Sequence, residues 1–524
     1  MLLVTENQIP PISKYAIVVN PNDNVAVVKN EVLANLSVHL DNEKIITVKQ
    51  DTPLGHRFAT REIPKGDFVL QYGQPIGTSL GISAGEWVTH DNMTNEVPIV
   101  RELSEDLQTP APDYFEISER ATFQGFKRPD GRIGTRNFVL IVPTSMCASH
   151  EATQISMMSE FLHYKREKYP NVDGVVAIPH NKGCGCQDAE NIEIMLRTLA
   201  NYADHPNVGG VILMDLGCEK TNLSKVEKFL LNKDYRINKP FAKIGIQEVG
   251  GTQKAIEIGL DEVQKMLPIV NEVNREEFPA SEIVLGVKCG GSDGFSGISA
   301  NPSLGNASDL LVRNGGTVLI TEVPEFCGAE HILANRAKDV VTGRKVYEMV
   351  DWYKEYAGKF NAVLNENPSP GNIKGGLLNI TIKSLGAIAK AGTTRVEGVL
   401  GYAESVKNKG VNLMQGPGYD QESTPGLVAA GATVVVFTTG RGTTIGNAIA
   451  PVIKLSSNNE TFQRMNHDID LSAGNVIEGT ETIEEVGKRL FEHICKVASG
   501  EILAKAEVLK HREFQFWAEK AVSL

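Results

Sequence analysis

Short apolar runs separated by polar turns dominate residues 1–105. Ala26-Val27-Val28, Ile45-Ile46-Thr47-Val48 and Phe68-Val69-Leu70-Gln71-Tyr72 have strand length, and Pro64-Lys65-Gly66-Asp67 and Gly73-Gln74-Pro75 are turn signals beside them. The pattern predicts a small all-β module. An acidic stretch from Asn95 to Phe123 carries Pro98, Pro110 and Pro112 and predicts a linker, set at 106–124. From Phe126 the pattern alternates between apolar runs and helical periodicity. Phe138–Val142, Val175–Ile178, Val211–Met214 and Lys243–Ile246 read as strands. A helix is expected from about Ile155 to Lys168, and another where Ile192, Met195, Leu196 and Leu199 recur at helical spacing. Such alternation predicts a mainly parallel sheet with helices on its faces, over 125–275. A third unit, 276–524, has strand candidates at Ile283–Val287, Val318–Ile320 and Thr433–Phe437, and a tail that reads as helical from Glu484. The fold class expected is α/β, a small β module followed by two α/β domains.

Bulk composition narrows the function classes. A chain of 524 residues exceeds what one core supports. Its net charge of −12 argues against a nucleic-acid or anionic-membrane partner. The start, Met1-Leu2-Leu3-Val4-Thr5-Glu6, lacks the basic and apolar segments of a signal peptide, and no apolar run approaches the ~20 residues that span a bilayer. A cytoplasmic protein is expected. Its seven cysteines do not suggest a disulfide framework.

The chemistry gathers where apolar runs end in glycine-rich turns. Cys147, Cys184 and Cys218 follow successive strands of the second unit, so parallel strands would set their turns along one sheet edge. In Pro179-His180-Asn181-Lys182-Gly183-Cys184-Gly185-Cys186, the thiols and imidazole suit a soft or borderline metal, and the competing reading of His180 is a hydrogen-bonded structural histidine. Glu219 and Lys220, beside Cys218, read as a solvated helix start. The turn Lys288-Cys289-Gly290-Gly291-Ser292-Asp293-Gly294 crowds a thiol, a hydroxyl and a carboxylate onto a strand end, and its structural alternative has Asp293 capping a helix. Glu322, Glu325 and Glu330 could hold a hard cation or act as acid and base. Asn367–Gly376, with Asn372 and Lys374, and Thr438–Thr444, with Arg441, look like anion-binding loops. His56, in Gly55-His56-Arg57, is a candidate in the β module.

Taken in order, these strings resemble the altronate/galactarate dehydratase family along nearly the whole chain. Gly55-His56 lies in a module similar to that family's SAF (β-clip) domain, and Phe126–Asn137 is similar to the entry of its second domain. His180–Cys184, Gly217–Glu219, Lys288–Gly297, Asn367–Asn372, Pro417–Asp420 and Thr439–Gly442 match further motifs. Glu322-Val323-Pro324-Glu325 followed by Gly328-Ala329-Glu330 is closer to the altronate branch, whereas Cys186 and Cys327 depart from it.

The resemblance implies dehydration of D-altronate to 2-dehydro-3-deoxy-D-gluconate in hexuronate catabolism, with iron or manganese as the divalent metal and an iron–sulfur cluster as the alternative. On this reading Asp293, Glu325, His180 and Lys288 are the catalytic candidates. Arg441, Ser292, Asn372 and Lys374 would bind substrate, and His56, Cys184, Cys218 and Cys289 would hold the metal. The expected partner is a small sugar acid, and the expected assembly a homo-oligomer. Galactarate, another hydroxy acid or a sulfonated analogue is the alternative substrate; a sugar-acid-binding sensor is the non-enzyme alternative.

Overall fold

The computed structural model describes residues 9–41, 44–186, 188–232 and 238–517. The first six residues, read above for a leader, lie outside them, as does the tail from 518. Short antiparallel strands build the N-terminal module. Val25–Val28 pairs with Ala16–Ile17 and Arg57–Ala59, and Phe68–Gln71 pairs with Gln74–Ser79. All four residues of Val25–Val28 are buried, which is why this strand reads as a continuous apolar run.

The connection from Pro98 onward, which includes the 106–124 stretch, is fastened rather than loose. Arg101 pairs with Glu330 and Asp351, Thr109 Oγ1 donates to the Ala337 carbonyl at 2.8 Å, and the Arg313 guanidinium lies 4.2 Å over the Phe115 ring. Its last residues form the strand Thr122–Lys127, paired antiparallel with Arg275–Pro279.

Two parallel sheets follow. The first contains β1 (Phe138–Pro143), β2 (Gly174–Ala177), β3 (Val208–Asp215) and β4 (Phe241–Gly245), in spatial order β2-β1-β3-β4. Helix α1 spans Ser149–Leu162, earlier than the expected Ile155–Lys168, and α2 spans Glu190–Asp204. The second sheet has seven strands: β5 (Val284–Cys289), β6 (Thr317–Ile320), β7 (Val396–Leu400), β8 (Gly410–Met414), β9 (Val434–Thr439), β10 (Val452–Ser456) and β11 (Leu471–Ser472). Their order is β7-β8-β6-β5-β9-β10-β11, all pairs parallel. The chain goes one way from β5 to β6 and the other way from β8 to β9, so the crossovers diverge between β5 and β9. An open α/β sheet binds ligands at the carboxyl ends of strands at such a point.

Helices α3 (Ile380–Ile388) and α4 (Asp420–Ala429) bring further residues to that edge. The expected helical tail holds as α5 (Ile483–Ala498), and beyond a short turn at Lys505–Val508 the chain has no regular structure to Trp517. No helix among the described residues is long and apolar enough to cross a membrane.

Candidate active site

β5 ends in Lys288-Cys289, both buried. The Lys288 ammonium meets the Glu322 carboxylate and, at 2.8 Å, Asp420 Oδ1. Glu322 leaves β6 with a left-handed backbone (φ 76°), uncommon for a residue with a side chain and here imposed by its buried partners. Its Oε2 accepts from Lys390 Nζ at 2.9 Å and from the Cys289 amide at 3.1 Å. Glu325 accepts from Lys383 Nζ at 2.8 Å and from Cys289 Sγ at 3.1 Å, and Lys390 Nζ lies 2.7 Å from that sulfur. Three carboxylates thus face three ammonium groups around one thiol.

Burial opposes every charge here, and pairing decides the outcome. Burial would lower Lys288, but Asp420 and Glu322 raise it. Burial would raise Glu325, but Lys383 and Lys390 bring it down to about 2. Burial and the two glutamates push the Cys289 thiol up, so it stays protonated. The network is neutral as a whole.

Lys383, Lys390 and Asp420 were not among the expected site residues. A signal existed for the lysines: they stand seven apart in an otherwise apolar stretch, hence on one helical face.

The turn after β5 packs on the turn after β9, whose Gly440 and Arg441 amides donate to the Gly291 carbonyl at 3.1 and 2.8 Å. Asp293 caps this turn. Its Oδ1 accepts from the Phe295 and Ser296 amides and from the Ser296 and Ser457 hydroxyls, while Oδ2 accepts from Ser457 Oγ and Asn458 Nδ2, each at 3.1 Å. Burial raises its pKa above the usual aspartate value. Asn372 Nδ2 donates to the Ser292 carbonyl at 2.8 Å, and the buried Ser292 Oγ has no partner among the described residues. Lys374 and Arg441 are exposed. With Lys29, Asp293, Asn458 and Arg464 they line a cavity of about 460 Å³.

The N-terminal module forms part of this wall. Within the third unit the Gly294 amide donates to the Gly375 carbonyl at 2.8 Å, and from the module Arg57 Nη2 donates to the neighbouring Gly376 carbonyl at 2.6 Å. His56 Nε2 lies 3.3 Å from the Lys374 carbonyl, with Trp87 edge-on at 5.4 Å. Burial and the neighbouring Arg57 lower its pKa, keeping the ring neutral.

On the other sheet, His180 is a structural residue. Nε2 donates to the Pro143 carbonyl at 3.0 Å and Nδ1 accepts from the Lys182 amide at 3.3 Å, which leaves no ring nitrogen for a substrate. Burial lowers its pKa to about 4. Glu219 is not a solvated helix start: it is buried and accepts from Thr144 Oγ1 and Ser145 Oγ, each at 2.9 Å. Cys184 and Cys218 are exposed at that sheet's edge, whereas Cys289 is buried in the lysine network. The four expected metal ligands are therefore not assembled as one donor set. Among the described residues, the group with ligand atoms within 4.8 Å of one another is Cys289, Glu322 and Glu325.

Family models match in three consecutive pieces: the altronate/galactarate dehydratase SAF domain over 14–96, the D-galactarate dehydratase/altronate hydrolase second domain over 125–271, and the D-galactarate/altronate dehydratase C-terminal domain over 280–522. The chain belongs to the D-galactarate/altronate dehydratase family. Altronate dehydratase of Bacillus subtilis (strain 168) is 36% identical over 94% of this chain and 96% of its own length. Altronate dehydratase of Escherichia coli (strain K12) is 35% identical over 91% and 94%. Galactarate dehydratase (L-threo-forming) of the same strain is 37% identical over 93% of each. This family member is a hydro-lyase acting on a sugar acid, and the buried Cys289–Glu322–Glu325 group has atoms that could hold a metal.

Proposed function

We propose that this dehydratase converts D-altronate to 2-dehydro-3-deoxy-D-gluconate and water. Overall identity does not separate altronate from galactarate relatives, and the choice rests on the Glu322–Glu330 string, which resembles the altronate branch. The observation that carries the chemistry is the cavity in which Lys29, Lys374, Arg441 and Arg464 outnumber Glu460 and Glu478 beside the capped carboxylate of Asp293.

Arg441 and Lys374 hold the substrate carboxylate, Arg441 in a two-pronged pair. Asp293 Oδ2 has fewer hydrogen bonds than Oδ1, and its raised pKa makes it a stronger base than an ordinary aspartate. It takes the proton from C2. The C3 hydroxyl leaves as water after accepting a proton from a Lys29 or Lys374 ammonium at the wall, and the enol tautomerises to the 2-keto acid. Positive charge around the carboxylate stabilises the enediolate that forms on proton loss. The Lys288 network lies behind the turn and positions it.

A divalent ion does not fit the Cys289–Glu322–Glu325 group as it is charged. Both glutamates already pair with Lys288, Lys383 and Lys390, so an ion there would have to displace ammonium groups that already balance their charge.

The test is a panel of altronate and galactarate assayed for 2-keto acid, using metal-free protein reconstituted with different cations. Turnover of altronate at least tenfold above galactarate is expected, and Asp293→Asn should lower kcat by about 10²-fold or more. Preferential galactarate turnover overturns the substrate assignment; unchanged kcat in D293N removes Asp293 as base.

A further inference from the structure

The first parallel sheet has its own switch point. The chain goes one way from β1 to β2 and the other way from β2 to β3, so the crossovers diverge between β1 and β3. Cys147 follows β1 and Cys218 follows β3, flanking that point, while Cys184 follows β2 on the other side of β1. Neighbouring strands lie about 4.8 Å apart, so three thiols leave three adjacent strand ends at one edge. All three are exposed, and none hydrogen-bonds to another described residue.

The loops that carry them are tied together from below. The Met146 amide donates to the Lys182 carbonyl at 2.7 Å, and His180 Nε2 donates to Pro143. Glu219 collects the Thr144 and Ser145 hydroxyls, and Lys220 Nζ donates to the Cys186 carbonyl at 3.2 Å. Buried polar groups next to each cysteine therefore fix the three loops relative to one another while the thiols stay free. Outer hydrogen bonds of this kind orient metal ligands.

We propose that Cys147, Cys184 and Cys218 hold a four-iron, four-sulfur cluster whose fourth iron has no protein ligand. A single ion would draw its thiolates to roughly 3.8 Å of one another, given Zn–S bonds near 2.3 Å. The thiols are not gathered that closely: no group with ligand atoms within 4.8 Å includes them. A polynuclear cluster gives each thiolate its own iron. Binding replaces three thiol protons by three Fe–S bonds, with ferrous and ferric iron in equal parts and sulfide as the assembling reagents, so that the 2+ cluster forms without a further oxidant. When bound, the cluster supplies a Lewis-acidic iron open to an oxygen ligand of a hydroxy acid.

The edge is linked electrostatically to the buried Lys288 network. Lys182 acts electrostatically on Glu422 in α4, and Asp420, at the start of the same helix, pairs with Lys288. The cluster's part in turnover rests on the dehydration reading; its binding does not.

The test is anaerobic reconstitution of the full chain with equal parts of ferrous and ferric iron and with sulfide, read by iron, acid-labile sulfide and visible absorption. About four of each per chain are expected, with broad visible absorption. Cys147→Ser, Cys184→Ser and Cys218→Ser should each lose at least nine-tenths of the labile sulfide, whereas Cys186→Ser, Cys327→Ser and Cys495→Ser should keep it. Circular dichroism of the cluster-free variants should match the parent, separating ligand loss from misfolding. Iron without sulfide in the parent, or a full cluster in C147S, overturns the proposal. Cluster without turnover sinks only the dehydratase reading, and turnover by colourless, sulfide-free protein sinks only the cluster.

Discussion

Glu322 is the residue on which the buried network turns. Its two oxygens bind Lys288, Lys390 and the Cys289 amide, so neutralising it leaves buried ammonium groups short of charge. Breaking a buried ion pair from one side costs about 3–5 kcal/mol. Glu322→Gln should therefore lower unfolding free energy by about 3 kcal/mol in urea titrations; a cost below about 1 kcal/mol would mean that the lysines find other partners. Glu422 titrates differently. Burial raises its pKa to about 7, only partly offset by Lys182. A carboxyl raised in the fold binds its proton more tightly there than in the unfolded chain, so its contribution is fully present below about pH 4.5 and is lost as pH rises toward 7. Glu422→Gln should match the parent in melting temperature near pH 4.5 and exceed it at pH 8, and a constant gap across that range would contradict the assignment. Residue chemistry was only partly legible in the sequence. Cys289 and Asp293 stood out because glycines flank them, but nothing local reveals that Asp293 also spends its oxygens on Ser457 and Asn458, or that His180 spends both nitrogens on backbone. Capping by Ser296 is local and was one of the two expected readings of Asp293, whereas Ser457, Asn458 and the Pro143 carbonyl lie on other elements.

At the scale of elements, the parallel strands were readable because buried strands such as Phe138–Pro143 and Val434–Thr439 are continuous apolar runs. The joint between elements was not readable, because it is built from backbone. Gly55 (φ 78°), Gly294 and Gly376 (φ 103°) meet so closely that a Cβ at Gly294 would lie 2.2 Å from the Gly55 carbonyl oxygen. Only residues without side chains allow this approach, since Gly55 and Gly376 also need positive φ. Gly294→Ala should push the turn and the N-terminal module apart, destabilising the protein by about 1–3 kcal/mol. The accompanying KM should rise through displaced Lys374 and Lys29, with circular dichroism unchanged. Parent-like KM and stability would show that the joint yields without moving the cavity wall.

For the whole molecule, the same joint decides what the N-terminal module does. The module touches the third unit through Arg57 at Gly376, through Lys29 Nζ, which donates to the Ile477 carbonyl at 2.9 Å, and through Asn379 Nδ2, which donates to the Ile76 carbonyl at 2.8 Å. A small apolar cluster of Val27, Phe295, Ile298 and Ile477 spans the two. Ile12, Val28, Val38, Ile46 and Phe58 form a core of the module's own, whereas Val25, Ala59, Ile63, Val69, Ile76 and Met93 belong to the large core that also holds the seven-stranded sheet. A module that shares part of the main core is docked more firmly than one held by backbone hydrogen bonds alone. Residues 97–524 produced without the module should be less stable than the parent and lose most turnover, because the shared core is opened and Lys29 and the support behind Lys374 are missing. Adding residues 1–96 in trans should restore turnover in a saturable way, giving a dissociation constant for the joint by titration. Full activity of 97–524 alone would remove the module from the substrate site. Activity that stays lost at saturating module, with both pieces folded by circular dichroism, would mean that the covalent connection through 97–124, pinned at Arg101 and Thr109, sets the geometry instead.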